Sequence, residues 1–237
     1  MSFKGEVMKK TVVGLLVSIL FIGCGSSSTE GRVEESLLKS KFINNSSCDE
    51  IIDKVFLEIC YDNSLKAAKS VAYKLDGDLV NELNIKDRPF FYEEPSLDRE
   101  NRASFRDYTR SGYDRGHLAP DAAFDWSEES LEATYSLANI IPQIPEVNQE
   151  MWVDVEKLAR RKAVELGSVN VLNIVKYNSN PNRIGANGIA VSKGYYKVLY
   201  NKDENYEACY YYENRENTNS SRDTKERHLV ECSTVNY

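Results

Sequence analysis

Apolar residues alternate with polar ones in some stretches of this chain and recur every three or four positions in others, and the two periods mark out strands and helices. Val71 to Tyr73 and Leu79 to Val80 flank Asp76-Gly77-Asp78, so an Asp-Gly pair interrupts a β-prone stretch and predicts a hairpin there. Val169 to Tyr177, Gly188 to Val191, Tyr195 to Tyr200 and Glu207 to Tyr212 read as further strands, with Asn and Gly between them. Ser127 stands ahead of Glu128 and Glu129 as an N-cap with acids in the first turn. Leu131, Tyr135 and Ala138 follow at helical spacing, which predicts a helix over 128–138. A longer helix is expected over 149–166, where Trp152, Val155, Leu158, Ala159 and Leu166 form an apolar stripe that Gly167 ends. These elements make an α+β domain in which an antiparallel sheet is flanked by helices. No internal repeat or second domain boundary interrupts them.

The first residues follow a different pattern. Met8-Lys9-Lys10 opens an apolar run from Thr11 to Gly23 that is too short to span a bilayer and has the form of an export signal. It ends in Phe21-Ile22-Gly23-Cys24, which resembles a bacterial lipobox, so lipid attachment at Cys24 is expected. Residues 1–24 then form the signal, 25–47, rich in Ser, Asn, Glu and Lys, a flexible tether, and 48–237 the folded domain. The domain would face the periplasm or the cell surface. Setting Cys24 aside leaves Cys48, Cys60, Cys209 and Cys232, an even set suited to an oxidising compartment. Three connectivities are open, and loop proximity favours Cys48 with Cys60 and Cys209 with Cys232.

Charge argues mildly against a polyanionic partner. The chain carries −7, and −9 once the three lysines and one glutamate of residues 1–23 are removed. Any phosphate-binding surface must therefore be local. Arg102, Arg106, Arg110 and Arg115 do cluster along the sequence, although such a run is as readily a solvated face.

Only two histidines are present. His228 sits in a charged C-terminal segment with no paired acid or metal-ligand spacing, and reads as structural. His117 lies in Gly112-Tyr113-Asp114-Arg115-Gly116-His117-Leu118-Ala119-Pro120, where an acid, a cation and a glycine crowd against it. Gly116 there implies a special conformation or a close approach. Downstream come Asn139, Pro142-Gln143, and then Asn148, Trp152 and Glu156, spaced by four so that a helix would aim them at one point. A neutral amide oxygen plus a carboxylate suits Mg²⁺, which takes few protein ligands and keeps its waters. A base, a metal and nearby arginines are what hydrolysis of a phosphodiester requires.

Together, Asp114-Arg115-Gly116-His117, Asn139, Pro142-Gln143, Asn148, Trp152 and Glu156 resemble the DNA/RNA non-specific endonucleases over roughly Val71 to Val191. The resemblance implies a ββα-metal nuclease core and magnesium-dependent cleavage of DNA and RNA that leaves 5′-phosphates, with Mn²⁺ as a possible substitute ion. Carried over by position, His117 matches the general base, Asn148 the direct metal ligand, and Glu156 the acid that acts on the metal through water. Asn139 matches a site asparagine and Arg115 a substrate-binding arginine. Arg88, in Arg88-Pro89-Phe90, is the nearest counterpart of an upstream arginine that stabilises the transition state, with Arg102 as the competing choice. A histidine base of ordinary pKa predicts activity falling below about pH 6.5. The alternative reading is a surface lipoprotein that binds or takes up nucleic acid with little turnover.

Overall fold

Seven of the strand-forming segments pair side by side into one antiparallel sheet. They are β1 (Glu50–Asp53), β2 (Leu57–Asp62), β3 (Ala67–Asp76), β6 (Ser168–Lys176), β9 (Gly194–Asn201), β10 (Tyr206–Glu213) and β11 (Leu229–Val230), adjacent in that order. Two short ribbons stand off the sheet: β4 (Asp114–His117) with β5 (Ile140–Gln143), and β7 (Arg183–Ile184) with β8 (Ile189–Ala190). The helices are α1 (Glu128–Thr134) and α2 (Trp152–Leu166). This computed structural model describes residues 48–216 and 223–235. The export signal, Cys24 and the tether expected over 25–47 lie outside the described residues.

The long strands are apolar on both faces because both faces are covered. On the front, Tyr73, Val169, Val171, Tyr195 and Leu199 pack against Trp152, Val155, Leu158, Ala159 and Ala163 of α2, all of them buried. Burying each large side chain of this kind contributes roughly 1.5–3 kcal/mol. On the back, Ala72, Leu172, Ile174 and Val198 form a smaller cluster with Cys60, Cys209 and Val235. Both favoured disulfides are formed, Cys48–Cys60 and Cys209–Cys232, with sequence separations of 12 and 23. Loops of this size stabilise a fold by about 3 kcal/mol each in the chain-entropy view.

Three expectations change in detail. No hairpin forms at Asp76-Gly77-Asp78: β3 runs through to Asp76, and a 3₁₀ turn, Leu79–Asn81, carries the chain away. Gly77 is needed there because the backbone abuts the end of α2. A Cβ would lie 2.4 Å from the Ala163 carbonyl oxygen, and the Gly77 amide donates to the Gly167 carbonyl at 2.8 Å. The first helix stops at Thr134 instead of reaching 138. The Asn139 side chain takes the Thr134 carbonyl at 2.8 Å, and Leu137–Asn139 becomes a separate 3₁₀ turn. The second helix is α-helical only from Trp152, since Val147–Met151 winds as a π turn. Asn148 therefore sits on a widened turn, a local geometry that recurs at functional sites.

Candidate active site

Strand β4 carries the Asp-Arg-Gly-His segment and pairs with β5 in the register Asp114 with Gln143, Gly116 with Ile141, and His117 with Ile140. Gly116 is required by a close approach, not by its backbone angles. The buried Gln143 side chain lies over it so closely that a Cβ would overlap the amide group outright. His117 ends the strand and is held among rings, with Phe91 at 5.4 Å and Tyr135 at 5.2 Å between centroids. Its Nε2 is out of water and has no hydrogen-bond partner. Burial pushes the imidazole pKa down to about 4, the carboxylate of Asp121 opposing that shift and Arg88 adding to it. Burial thus keeps the ring neutral, the form in which an imidazole can accept a proton.

Arg88 lies beside this histidine, bridged to Asp121 at 3.3 Å and to Asp125 at 3.0 Å. Tyr135 donates its hydroxyl to Asp121 at 2.9 Å, so the carboxylate is fixed from two sides. Arg102, the competing arginine, is spent on the carbonyls of Leu97 and Pro95 and braces a loop. Arg115 stacks its guanidinium over Phe105 at 4.3 Å and faces Phe91 at 5.3 Å, while its buried Nε has no partner. Such stacking holds the planar cation in place with its donors available to an anion.

Helix α2 and the π turn before it are each locked onto the strand by one contact. The Trp152 indole N–H donates to the His117 carbonyl at 3.3 Å, and the Asn148 Nδ2 donates to the Asp114 carboxylate at 3.0 Å. A carboxylate only accepts, which fixes the orientation of the amide and turns Oδ1 of Asn148 away from Asp114. Gln149 donates to the same carboxylate at 2.7 Å.

One turn on, Glu156 meets Lys197. Burial raises the carboxyl pKa to about 7, with Lys197 and Arg160 opposing, and burial lowers the ammonium to about 7, with Glu156 opposing. Each charge stabilises the other against the cost of burial. Lys197 is wholly buried; its Nζ donates to Asn173 Oδ1 at 2.8 Å and Tyr73 Oη at 3.2 Å and sits 4.3 Å from the Trp152 ring centre. Asn173, its direct cross-strand partner, donates to the Leu118 carbonyl at 2.9 Å, the residue after His117.

Asn139 is also fully buried, and all its polar capacity goes to the backbone. It accepts from the Ala119 amide at 2.9 Å and donates to the carbonyls of Ala119 and Thr134. The structure thus gathers His117, Arg88, Arg115, Asn148 and Glu156 around one ββα unit, with the Asn139 side chain bracing the backbone at Ala119 and Thr134. Sequence reasoning missed Asp121, Asn173 and Lys197. The last two had a signal in strand alternation, since Lys197 falls in step with the inward-facing Tyr195 and Leu199, and Asn173 with Val171 and Val175.

No group of three or more His, Cys, Asp or Glu gathers to hold a metal among the described residues. The donor set is instead one amide oxygen with a carboxylate two turns further along, which fits a hard, strongly hydrated divalent cation.

The sequence profile of the DNA/RNA non-specific endonucleases matches residues 35–236. The chain belongs to this family. Bovine mitochondrial endonuclease G is 32% identical over 155 residues, covering 60% of this chain and 50% of that protein, and the human protein matches at the same identity over 60% and 51%. A mitochondrial nuclease of Saccharomyces cerevisiae (strain ATCC 204508 / S288c) is 37% identical over 84 residues, 35% of this chain and 26% of its own length. The chain spans about half the length of the endonuclease G relatives it matches. A crystal structure of an EndoG/EndoGI complex superimposes with a TM-score of 0.70 at 23% identity, covering 78% of this chain and 81% of that one. That likeness establishes the α+β, ββα fold of this family member.

Proposed function

We propose that this endonuclease-family protein hydrolyses phosphodiester bonds of DNA and RNA without sequence preference, with His117 as general base and a divalent cation as cofactor. The observation that carries the reading is the His117 imidazole, kept neutral by burial, with an unpartnered Nε2 on a strand tied to the helix that bears Asn148. His117 takes a proton from water, and the water oxygen bonds to phosphorus as the bond to the 3′ oxygen breaks. The products are a 5′-phosphate and a 3′ hydroxyl, the latter protonated by solvent. Arg88 and Arg115 face the charge that develops on the phosphate. Asn148 would hold Mg²⁺, or Mn²⁺ in its place, through Oδ1, with Glu156 orienting water around it. When bound, the ion supplies positive charge to the phosphate and to the departing oxygen. Membership of the non-specific endonuclease family supports cleavage without sequence preference.

Digestion of plasmid DNA and of RNA by residues 25–237 tests the reading. Both substrates should disappear with Mg²⁺ and survive in EDTA. Survival of both in Mg²⁺ would favour the non-catalytic binding protein instead.

The pH behaviour of the base can be read directly, because the chain has only two imidazoles. In a proton NMR titration of the metal-free protein, the His117 resonance should titrate near 4, well below an ordinary histidine, since burial disfavours its charged form. It remains a competent base through pH 5–7, so the acid limb it contributes lies lower than the 6.5 expected from sequence alone. A His117 midpoint at or above 6.5 would remove this account.

We further propose export and lipid attachment at Cys24. Pairing of the other four cysteines in two disulfides supports an oxidising destination. Globomycin-sensitive processing and incorporation of labelled fatty acid, both lost in Cys24→Ala, would be its signature.

A further inference from the structure

Beside the active site the surface is grooved, and the groove does not end where the chemistry does. One stretch, of about 720 Å³, is lined by Lys86, Arg88, Asp125 and Arg160 among others. The next, of about 580 Å³, is lined by Lys157, Arg160, Arg161 and Glu165, and the two share Asn81 and Arg160. The groove therefore starts at Arg88, whose charge is felt by His117, passes Arg160, whose charge is felt by Glu156, and continues along the exposed face of α2.

Its charge is opposite to that of the protein. Five cations line it (Lys86, Arg88, Lys157, Arg160 and Arg161) against the acids Glu82, Asp125 and Glu165, in a chain whose net charge is −7. Two of those acids are already committed, Asp125 to Arg88 at 3.0 Å and Glu165 to Lys162 at 2.8 Å. Lys157 approaches Asp154 only at 3.7 Å with both side chains half exposed, which is a weak pair. Arg160 and Arg161 make no ion pair among the described residues. A surplus of cations over acids on an acidic protein, in a groove that reaches a phosphodiester site, matches a polyanion laid along that groove.

We infer that Lys157 and Arg161, with Lys86 in the adjoining stretch, form a backbone track that holds the nucleic acid away from the scissile phosphate. The inference rests on the proposed function for the identity of the polyanion. Lys157 and Arg161 are one helical turn apart on the same face, so they address successive points along a single strand. The contacts are to phosphates, so the track adds affinity and salt sensitivity and carries no sequence preference. It also reconciles an acidic protein with a nucleic-acid substrate, because the remainder of the surface repels the duplex and the groove alone admits it.

The experiment is fluorescence anisotropy of a labelled 20-base-pair duplex with full-length protein in EDTA, over a range of salt, so that binding is read without cleavage. Each phosphate contact contributes roughly 0.9 to the slope of log K against log salt. The double variant Lys157→Ala, Arg161→Ala should therefore lower the slope by about 2 and weaken binding severalfold at low salt. Lys193→Ala with Lys202→Ala, which removes the same charge from outside the groove, should leave the slope in place. An unchanged slope in the groove variant, an equal fall in the control, or no binding by the wild type would each overturn the track. Intact binding by a protein that cuts nothing in Mg²⁺ would overturn the proposed activity and spare the track.

Discussion

His117→Ala is expected to lower phosphodiester cleavage by roughly 10²- to 10⁴-fold, the usual contribution of a positioned acid or base, while thermal stability and duplex binding hold. The imidazole packs against Phe91 and Tyr135, so the truncation leaves a small void at the strand end. It leaves no orphaned partner, because Nε2 makes no hydrogen bond in the folded chain. The contact that ties this residue to α2 runs from the Trp152 indole to the His117 backbone carbonyl and survives any substitution of the side chain. Single-turnover cleavage and a melting curve, taken on one preparation, separate the two effects. Loss of activity in step with loss of folded protein would mean that the ring is a packing element, and the base would have to be sought elsewhere.

Asn148 gives the second large effect, and the less obvious substitution is the more informative one. Asn148→Ala removes the amide oxygen assigned to the metal, and a loss of about 10²- to 10³-fold is expected, comparable to deleting one preorganised charge-stabilising group. Asn148→Asp offers a carboxylate that by itself is the better ligand for Mg²⁺. It should nonetheless fail to rescue. Asn148 Nδ2 donates to Asp114 at 3.0 Å, so an aspartate would set two carboxylates face to face in a pocket that Gln149 also addresses. Repulsion would turn the new side chain away or raise its pKa, and either weakens metal binding at neutral pH. Removing the clash with Asp114→Asn in the same chain should recover part of the activity, and metal titration by calorimetry would show affinity returning with it. An Asn148→Asp enzyme as active as the wild type would show that Asp114 does not orient this ligand.

What could be read from the sequence followed from how local the cause was. Both helices, the strands β6, β8, β9 and β10 and both disulfide pairings depend on spacing within short segments, and they were legible. The Asp-Gly pair misled because Gly77 answers to a distant constraint, the carbonyls of Ala163 and Gly167 at the end of α2, and not to a turn of its own. At the site, the motif residues stood out through chemistry and order. Which arginine sits by His117 did not, because the choice between Arg88 and Arg102 is made by Asp121 and Asp125 on another segment. Lys197 was passed over for a related reason, although strand alternation sets it in step with the inward-facing Tyr195 and Leu199. A lysine in a strand reads as solvent-facing until its neighbours Asn173 and Tyr73, from β6 and β3, are known.

The two faces of the large sheet are maintained by different means. The front is filled by α2, the helix that bears Glu156 and whose Trp152 reaches the His117 carbonyl. The back is a thin layer that includes both disulfides and Val235 near the chain's end. Reduction therefore bears on the cluster that faces away from α2. Variation on the back face is consequently free to adapt the molecule to a new setting, or to carry a fused module, at little cost to the reaction on the other side.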